Sequence, residues 1–285
     1  LVLADGPAGL RLASCYFTQK GQPLIPPLEQ CFENGFLARG EYNPGGTRHY
    51  QYCTAFPIGT MLAQSWNTCL LQEVGAAVGY EMALFGVSLW LAPGMNIHRS
   101  PLCGRNFEYF SEDPLLSGQM AAAITRGVQS CPGCGVTLKH FACNNQETER
   151  LESNSLVSER ALREIYLRGF QIAVQSAQPS AIMTSYNLVN GVHAANSAAL
   201  CTAIARCEWG FAGIFMTDWD TTSSRRCTAE GCIQAGNDLL MPGNRREYSA
   251  LLCALRDGRL DRRLLRSCAG RIIKTALGLS APTAP

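Results

Sequence analysis

Polar side chains that can perform acid–base or nucleophilic chemistry follow several apolar runs of this 285-residue chain. They comprise two carboxylates, two strong cations, an imidazole and a phenol, namely Asp5, Asp218, Arg105, Lys139, His140 and Tyr186. If the runs are parallel strands of a barrel, their carboxyl ends converge and bring these groups to one mouth. Carboxylates and cations bind neighbouring hydroxyl groups through charge-assisted hydrogen bonds. The set therefore indicates a site for a neutral polyhydroxyl ligand, with Trp219 as a flat apolar wall.

The elements that must position these residues are predicted from the alternation of apolar and amphipathic segments. Seven apolar runs are predicted strands, at residues 1–4, 55–58, 89–93, 136–141, 181–186, 213–219 and 238–241. Predicted helices occupy residues 68–85, 114–129, 158–177, 197–207, 246–256 and 261–277. This alternation implies parallel strands. Strands that are apolar throughout are typical of a sheet that is buried on both faces.

The fold class that fits best is α/β, a (β/α)8 TIM-type barrel, whose usual length of roughly 250 residues this chain reaches. No eighth strand is obvious, so we expect an irregular barrel with an incomplete first unit. A doubly wound sheet is the alternative, but no GxGxxG motif follows the first strand. Residues 13–54 lack periodicity and are predicted to form a long loop over one end of the barrel.

Composition excludes several classes of protein. Apolar residues make up 47% and charged residues 16% of the chain, which excludes a disordered protein. No apolar run reaches the ~18 residues of a transmembrane helix. The net charge of +2 is spread along the chain, without the basic stripe that nucleic-acid binding needs. We expect no membrane and no nucleic-acid partner.

The chain holds 14 cysteines, mostly within apolar segments, and we interpret them as small buried thiols of a cytoplasmic protein. The pair Cys131 and Cys134 has the CxxC spacing, but no second pair or nearby histidine completes the four ligands of a zinc site. We therefore expect a turn at this pair, and no metal or cofactor.

Each candidate residue also has a purely structural interpretation. Asp218 or Asp220 could cap the helix after the sixth strand. Arg105 could pair with Glu108 or Glu112 in a solvated loop. The Lys139–His140 pair could satisfy backbone carbonyls at a strand end. Convergence of the whole set, rather than any single residue, favours a site.

Short blocks of characteristic composition occur along about residues 1–245. They are residues 5–11 (DGPAGLR), 91–97 (LAPGMNI) with 104–108 (GRNFE) and 111–114 (SEDP), 139–141 (KHF) with 145–147 (NQE) and Arg150, 183–187 (MTSYN) with 190–191 (NG), and 210–213 (GFAG) leading to 216–219 (MTDW). In content and order these blocks resemble glycoside hydrolase family 3, most closely its β-glucosidase branch.

This resemblance implies a role for each matching position. Asp218 matches the catalytic nucleophile. The residues that hold the sugar in the first subsite are matched by Asp5, Arg105, Lys139, His140 and Arg150; Met183 and Tyr186 match residues lining that subsite, and Trp219 matches its wall. The implied chemistry is retaining hydrolysis through a covalent glycosyl-enzyme. Cations near Asp218 are expected to favour its ionised form.

The chain departs from the family pattern at the general acid/base. Most members supply it as a glutamate on an α/β-sandwich domain, which we do not find in this chain. Residues 1–279 are expected to form the barrel and residues 280–285 a tail, with the acid/base supplied by a sandwich domain or partner outside the chain. The single-barrel N-acetylglucosaminidases use an Asp–His pair, which the segment 139–146 (KHFACNNQ) lacks. That branch is therefore rejected.

The leading hypothesis is a retaining β-glycosidase of the β-glucosidase type, acting on terminal non-reducing β-D-glucosyl residues. One alternative is a sugar-binding or inactive paralogue, although a binder has no need for an acid at position 218. Another is a β-xylosidase or arabinosidase of the same family. An unrelated barrel acting on phosphates is disfavoured, because no glycine-rich phosphate loop follows the last strands.

Overall fold

A computed structural model describes residues 1–26, 42–223 and 225–280 of the chain. Its strands, numbered along the chain, are β1 (Leu3–Ala4), β2 (Cys15–Gln19), β3 (Gln22–Pro23), β4 (Thr47–Tyr50), β5 (Leu89–Trp90), β6 (Gly135–Phe141), β7 (Asn154–Ser155), β8 (Ala181–Thr184), β9 (Leu188–Val189), β10 (Val192–His193) and β11 (Ile214–Thr217). Its α-helices are α1 (Gly59–Ala63), α2 (Thr68–Phe85), α3 (Pro114–Gln129), α4 (Glu159–Ala161), α5 (Arg168–Ala177), α6 (Ala229–Ala235), α7 (Arg245–Arg256) and α8 (Arg262–Gly278). Two π-helical segments, Leu162–Tyr166 and Ala199–Glu208, complete predicted helices.

The central sheet is parallel, and its five strands lie in the order β1-β5-β6-β8-β11. A parallel bridge between Met216 and Leu239 continues it in the same direction, within the predicted seventh strand. Each strand of this sheet lies beside the preceding one, always on the same side, and helices connect the strands, as in a (β/α) barrel. The predicted α/β barrel-type fold is therefore confirmed. The barrel is irregular, because the described residues form five such strands rather than eight.

Both faces of this sheet are buried, as the uniformly apolar strands predict. Trp90, Leu138 and Phe215 belong to a large cluster with residues of α2, α3 and α5. Leu89 and Met216 are adjacent in sequence to Trp90 and Phe215, and they belong to a second cluster. Leu279, which follows α8, packs in the same cluster. Successive side chains of a strand point to opposite faces, so the two clusters lie on opposite sides of the sheet.

Two expectations for the N-terminal quarter are wrong. Residues 55–58 form no strand, because this segment is mostly exposed and Pro57 cannot donate a ladder hydrogen bond. Residues 13–54 are not simply a loop, since β2 pairs antiparallel with both β3 and β4. The missed signal is the two-residue turn at Lys20 and Gly21, both with positive φ, between β2 and β3. Residues 27–41 of this insertion lie outside the described residues.

The helix predictions hold closely. Helices α2 and α3 have the predicted bounds. Ser158 and Asp261, at the start of two other predicted helices, accept hydrogen bonds from Ala161 N and Arg263 N as caps. Of the predicted tail at 280–285, residues 281–285 lie outside the described residues. Across the residues that are described, no helix is long and apolar enough to cross a membrane.

Close contact between α2 and α3 depends on glycines that face each other. A Cβ on Gly127 would lie 2.1 Å from the Gln72 carbonyl oxygen and 2.9 Å from Gly75 Cα. Both helices place buried residues of the outer core along this contact. The backbone of one helix therefore forms part of the packing surface of the other.

We predict that Gly127→Ala lowers the melting temperature by several degrees, because overpacking a core typically costs about 1–3 kcal/mol. Gly270→Ala in α8 is the matched control, since a Cβ there meets nothing within 4 Å. Helix propensity alone makes the control neutral or stabilising by up to about 1 kcal/mol. Calorimetry that finds the two variants equally stable contradicts this account of the α2–α3 contact.

Candidate active site

A cavity of about 610 Å³ lies where the central strands end. Seven of the predicted site residues line it: Asp5, Arg105, Lys139, Arg150, Tyr186, Asp218 and Trp219. They come from distant parts of the chain, with Asp5 directly after β1 and Asp218 directly after β11. The convergence expected of parallel strand ends thus brings these seven together.

Two glycines shape the loop that carries Asp5. Gly6 and Gly9 have φ values of +121° and +108°, a region that L-residues with side chains rarely adopt. A Cβ on Gly6 would lie 2.0 Å from Gly9 O, and one on Gly9 would lie 2.3 Å from Thr54 O. Trp90 Nε1 donates to Gly6 O at 2.8 Å and fixes the loop to the sheet. The spacing of glycines in the DGPAGLR block is therefore a requirement of this turn.

Asp5 accepts hydrogen bonds from two cations. Lys139 Nζ donates to Oδ1 at 2.8 Å, and Arg11 Nη2 donates to Oδ2 at 3.2 Å. Burial alone would raise the pKa of Asp5, but Lys139, the Gly6 N–H and Arg11 together hold it below its ordinary value. Asp5 is therefore ionised at neutral pH, and Lys139, which is 2% exposed, lies beside a counter-charge.

Arg105 is held by a buried acid rather than by a solvated one. Its Nε donates a short hydrogen bond to Glu108 Oε1, and the Glu108 side chain is only 4% exposed. Its Nη2 lies 2.8 Å from His140 Nε2. Burial opposes the charged form, but Tyr109, Glu108 and Asp218 keep the pKa of Arg105 above its ordinary value. Arg105 therefore does pair with Glu108, and this pair positions the guanidinium inside the site.

His140 is neutral. Burial, followed by Arg105, Lys139 and Arg150, lowers its pKa well below the ordinary value. Because the Arg105 guanidinium can only donate, Nε2 accepts and the proton resides on Nδ1, which donates to Tyr109 Oη at 3.2 Å. The His140 backbone exchanges hydrogen bonds with the Asn96 side chain at 2.7 and 2.8 Å. His140 thus lies beneath the cavity lining as a fixed acceptor for Arg105.

Asp218 presents one carboxylate oxygen without a hydrogen bond. Its Oδ1 accepts from Trp219 N at 2.8 Å, whereas Oδ2 is buried and has no hydrogen-bond donor among the described residues. His140 Nε2 lies 3.7 Å from Oδ2, too far for a hydrogen bond. The capping alternative is not supported, because Thr228 rather than Asp218 caps α6. Oδ2 therefore has a lone pair that no described donor occupies, on a residue that lines the cavity.

The charge expectation for Asp218 needs a correction. Arg105 and Lys139 do favour its carboxylate form, as predicted. Burial has the larger effect, however, and the pKa of Asp218 is raised above its ordinary value of 3.8. The sequence identifies the cations but not the depth of burial, and Asp218 is 5% exposed.

Three larger side chains form a wall beside Asp218. Tyr186 Oη donates to Trp219 O at 2.6 Å, which joins the loops after β8 and β11. The Arg150 guanidinium lies 4.8 Å from the centre of the Tyr186 ring, and its Nη1 donates to Glu147 Oε2 at 3.2 Å. Burial and then the neighbouring Asp218 raise the pKa of Tyr186, so its phenol stays protonated.

Met183 is a predicted site residue that the structure places in the apolar core. It is 2% exposed, packs in the apolar cluster of Leu89 and Met216, and is not part of the cavity lining. Its predicted contact with a ligand stays a prediction.

Sequence reasoning missed several contributors. Tyr109 and Asn96 hold His140 in place, and residues 51–55, which follow β4, line the cavity. Asn96 lies within a recognised block, so its position was a usable signal. Residues 51–55 carried none, because they belong to a segment without periodicity. No group of three or more His, Cys, Asp or Glu side chains in the described ranges is placed to hold a metal ion.

The chain is similar to known glycosidases. It is 44% identical to a β-glucosidase of Ruminococcus albus over 84% of this chain and 26% of that protein. It is 47% identical to an exo-α-(1→6)-L-arabinopyranosidase of Bifidobacterium breve over 73% of this chain and 27% of that protein. The structure of β-glucosidase 3B from Thermotoga neapolitana in complex with glucose superposes with a TM-score of 0.81 and 43% identity, over 97% of this chain and 35% of that one.

The chain therefore spans about a quarter of the length of these curated relatives. Residues 39–275 match the family model described as the N-terminal domain of glycosyl hydrolase family 3. This match covers most of the chain, which has the converging strand ends, the glycine turn and the buried carboxylate described above. The chain belongs to glycosyl hydrolase family 3.

Proposed function

We propose that this domain supplies the nucleophile and the sugar subsite of a retaining β-glucosidase that hydrolyses terminal non-reducing β-D-glucosyl residues. The observation that carries the proposal is Asp218 Oδ2, a buried carboxylate oxygen without a hydrogen bond, on a residue that lines the cavity together with Arg105 and Lys139. Membership of the family and the similarity to β-glucosidases support it. The relatives named above act on glucosides and arabinopyranosides, which does not favour the xylosidase alternative.

In the proposed mechanism, Asp218 Oδ2 attacks the anomeric carbon and forms a glycosyl-enzyme, which water then hydrolyses. The Trp219 N–H holds Oδ1, so that Oδ2 is the oxygen directed at the sugar. Asp5 accepts hydrogen bonds from sugar hydroxyl groups, while Lys139 and Arg105 donate to them. Arg150, Tyr186 and Trp219 enclose the sugar laterally.

The proton donor is proposed to come from an α/β-sandwich domain or a partner. A general acid must hold a proton at working pH and lie about 5–5.5 Å from the nucleophile. Of the described carboxylates lining the cavity, Asp5 is ionised through Lys139 and Glu108 is bonded to Arg105. Glu147, which pairs with Arg150, is not part of the lining. None of these three is suited to the role.

We also propose that the protein works in a reducing compartment, the cytoplasm. The structure describes thirteen cysteines, all as free thiols. Burial raises the pKa of Cys143 and Cys201 to about 12, as befits small core residues that do not react. Alkylation of the denatured, unreduced protein followed by intact-mass measurement tests this, and several pairs that react only after reduction contradict it.

Asp218→Ala is predicted to lower turnover of a dinitrophenyl β-glucoside by several orders of magnitude, because the attacking oxygen is lost. Added azide should restore part of the rate and give the α-glucosyl azide, since azide enters from the face that Asp218 occupied. Cellobiose, whose leaving group needs a proton, should be hydrolysed about 10²–10⁴-fold more slowly than the dinitrophenyl β-glucoside where no general acid is supplied.

Asp220→Asn is the matched control, because Asp220 is an exposed neighbour with a φ of +52° that asparagine tolerates. It should retain wild-type turnover. The proposal is contradicted if Asp218→Ala keeps wild-type turnover, or if azide yields only the β-azide.

The acid limb of kcat/KM is predicted to lie above pH 3.8, because the nucleophile must be ionised and burial raises its pKa. Activity is therefore present above that pKa and is lost as the pH falls through it. Glu108→Gln should move the limb to higher pH and lower kcat/KM, since Arg105 loses the partner that holds it beside Asp218. Glu112→Gln, an exposed acid nearby, should leave the profile unchanged. Equal profiles for all three proteins contradict this role of Arg105.

A further inference from the structure

Two thiols outside the cavity lie in direct contact. Cys227 Sγ and Cys232 Sγ are 3.6 Å apart, and the two residues are 4% and 0% exposed. Cys232 lies in α6, and Cys227 immediately precedes Thr228, the residue that caps α6. Both follow Asp218 on the same stretch of chain, where Thr221 Oγ1 donates to Asp218 O at 2.7 Å.

The polar groups around the pair are directed towards sulfur. Asn196 Nδ2 donates to Cys232 Sγ at 3.2 Å and to Thr228 O at 3.1 Å. Asn196 Oδ1 accepts from Thr228 N at 3.0 Å, so this side chain fixes the backbone between the two thiols. Asn196 therefore places a donor on Cys232 Sγ and holds the backbone that links the two thiols.

His193 provides a second, independent observation. It is 2% exposed, and its Nδ1 accepts from Ala195 N at 3.2 Å, which places the proton of the neutral ring on Nε2. This Nε2 is buried and has no hydrogen-bond partner within standard geometry among the described residues. A buried donor without a partner is costly in a purely structural role. Next to an ionised sulfur the same donor is favourable.

The two thiols differ in acidity. A hydrogen bond from Cys232 is the largest cause that lowers the pKa of Cys227, to about 6, with His193 and Asn196 adding to it against burial. Cys232 holds its proton, because that bond and burial raise its pKa. The groups facing the pair are His193, Asn196 and, beside Cys232, Cys201. Cys227 is thus the more acidic thiol of the pair.

We propose that Cys227 and Cys232 form an oxidisable dithiol site that reacts with hydrogen peroxide and closes to a disulfide. The Cys227 thiolate attacks one peroxide oxygen, the O–O bond breaks, and the departing hydroxide takes up a proton to become water. The Cys232 sulfur then displaces the hydroxyl group from the sulfenic acid at Cys227, and its proton leaves with that oxygen as a second water. Two thiols are oxidised, and one peroxide is reduced to two waters.

Closure requires only a local movement. The sulfur atoms must approach from 3.6 Å to about 2.05 Å. The disulfide would tie the end of the loop that begins at Asp218 to the helix that follows it. This inference does not rest on the proposed glycosidase activity, because its readout is the covalent state of the two sulfurs.

The test uses the reduced protein, treated with hydrogen peroxide for increasing times, denatured and alkylated with iodoacetamide, and digested with trypsin. Cleavage after Arg226 and Arg245 leaves both cysteines in one peptide, residues 227–245. We expect this peptide to lose two hydrogens instead of gaining two alkyl groups, and dithiothreitol to reverse the change. Cys201, a buried thiol whose pKa is raised to about 12, should stay alkylatable and serves as the internal control.

The pH dependence and the variants sharpen the result. Closure should speed up with rising pH and then level off, with a midpoint below about 8.5, the pKa of an ordinary thiol, because the pKa of Cys227 is lowered. Cys232→Ser should stop at a sulfenic acid on Cys227 that dimedone traps, and Cys201→Ser should close as wild type does. The proposal is overturned if peptide 227–245 is oxidised no faster than Cys201, or if the midpoint lies near 8.5. The wild-type measurement decides this even where a variant fails to fold.

Discussion

The arrangement around the cavity follows from the cost of burying Asp218, a carboxylate that is 5% exposed. An isolated buried charge is expensive, so it requires counter-charges nearby or it takes up a proton. Arg105 and Lys139 supply those counter-charges, and each needs a partner in turn. Arg105 has Glu108, and Lys139 has Asp5. Three anions and two cations therefore depend on one another, and His140 remains neutral among them.

The fold meets this requirement by placing each charge at a strand end. Asp5 follows β1, Lys139 lies near the end of β6, and Asp218 follows β11, so one edge of the sheet gathers charges that are far apart in sequence. The interior of the sheet is apolar on both faces and provides a rigid base. His140 shows how the base and the site connect, because Asn96 holds its backbone while Tyr109 and Arg105 hold its ring.

Much of this could be predicted from the sequence, for identifiable reasons. Helices α2 and α3 were predicted with their observed bounds, because their periodicity and caps are local signals. The convergence of Asp5, Lys139 and Asp218 followed from one rule about parallel strands. The small sheet of β2, β3 and β4 was missed, since its strands are short, half-exposed and separated by a long insertion. The balance of charge and burial at Asp218 was also beyond the sequence, because desolvation depends on tertiary packing.

The central claim is that Asp218 Oδ2 is the attacking atom, and covalent labelling tests it most directly. A 2-deoxy-2-fluoro β-glucoside with a dinitrophenyl leaving group needs no proton donor to leave, and its fluorine slows release of the glycosyl-enzyme. Tryptic cleavage after Arg206 and Arg225 isolates residues 207–225, and fragmentation separates Asp218 from Asp220. The account predicts one fluoroglucosyl group, on Asp218. A label on Asp5, Glu108, Asp220 or any other residue would contradict it.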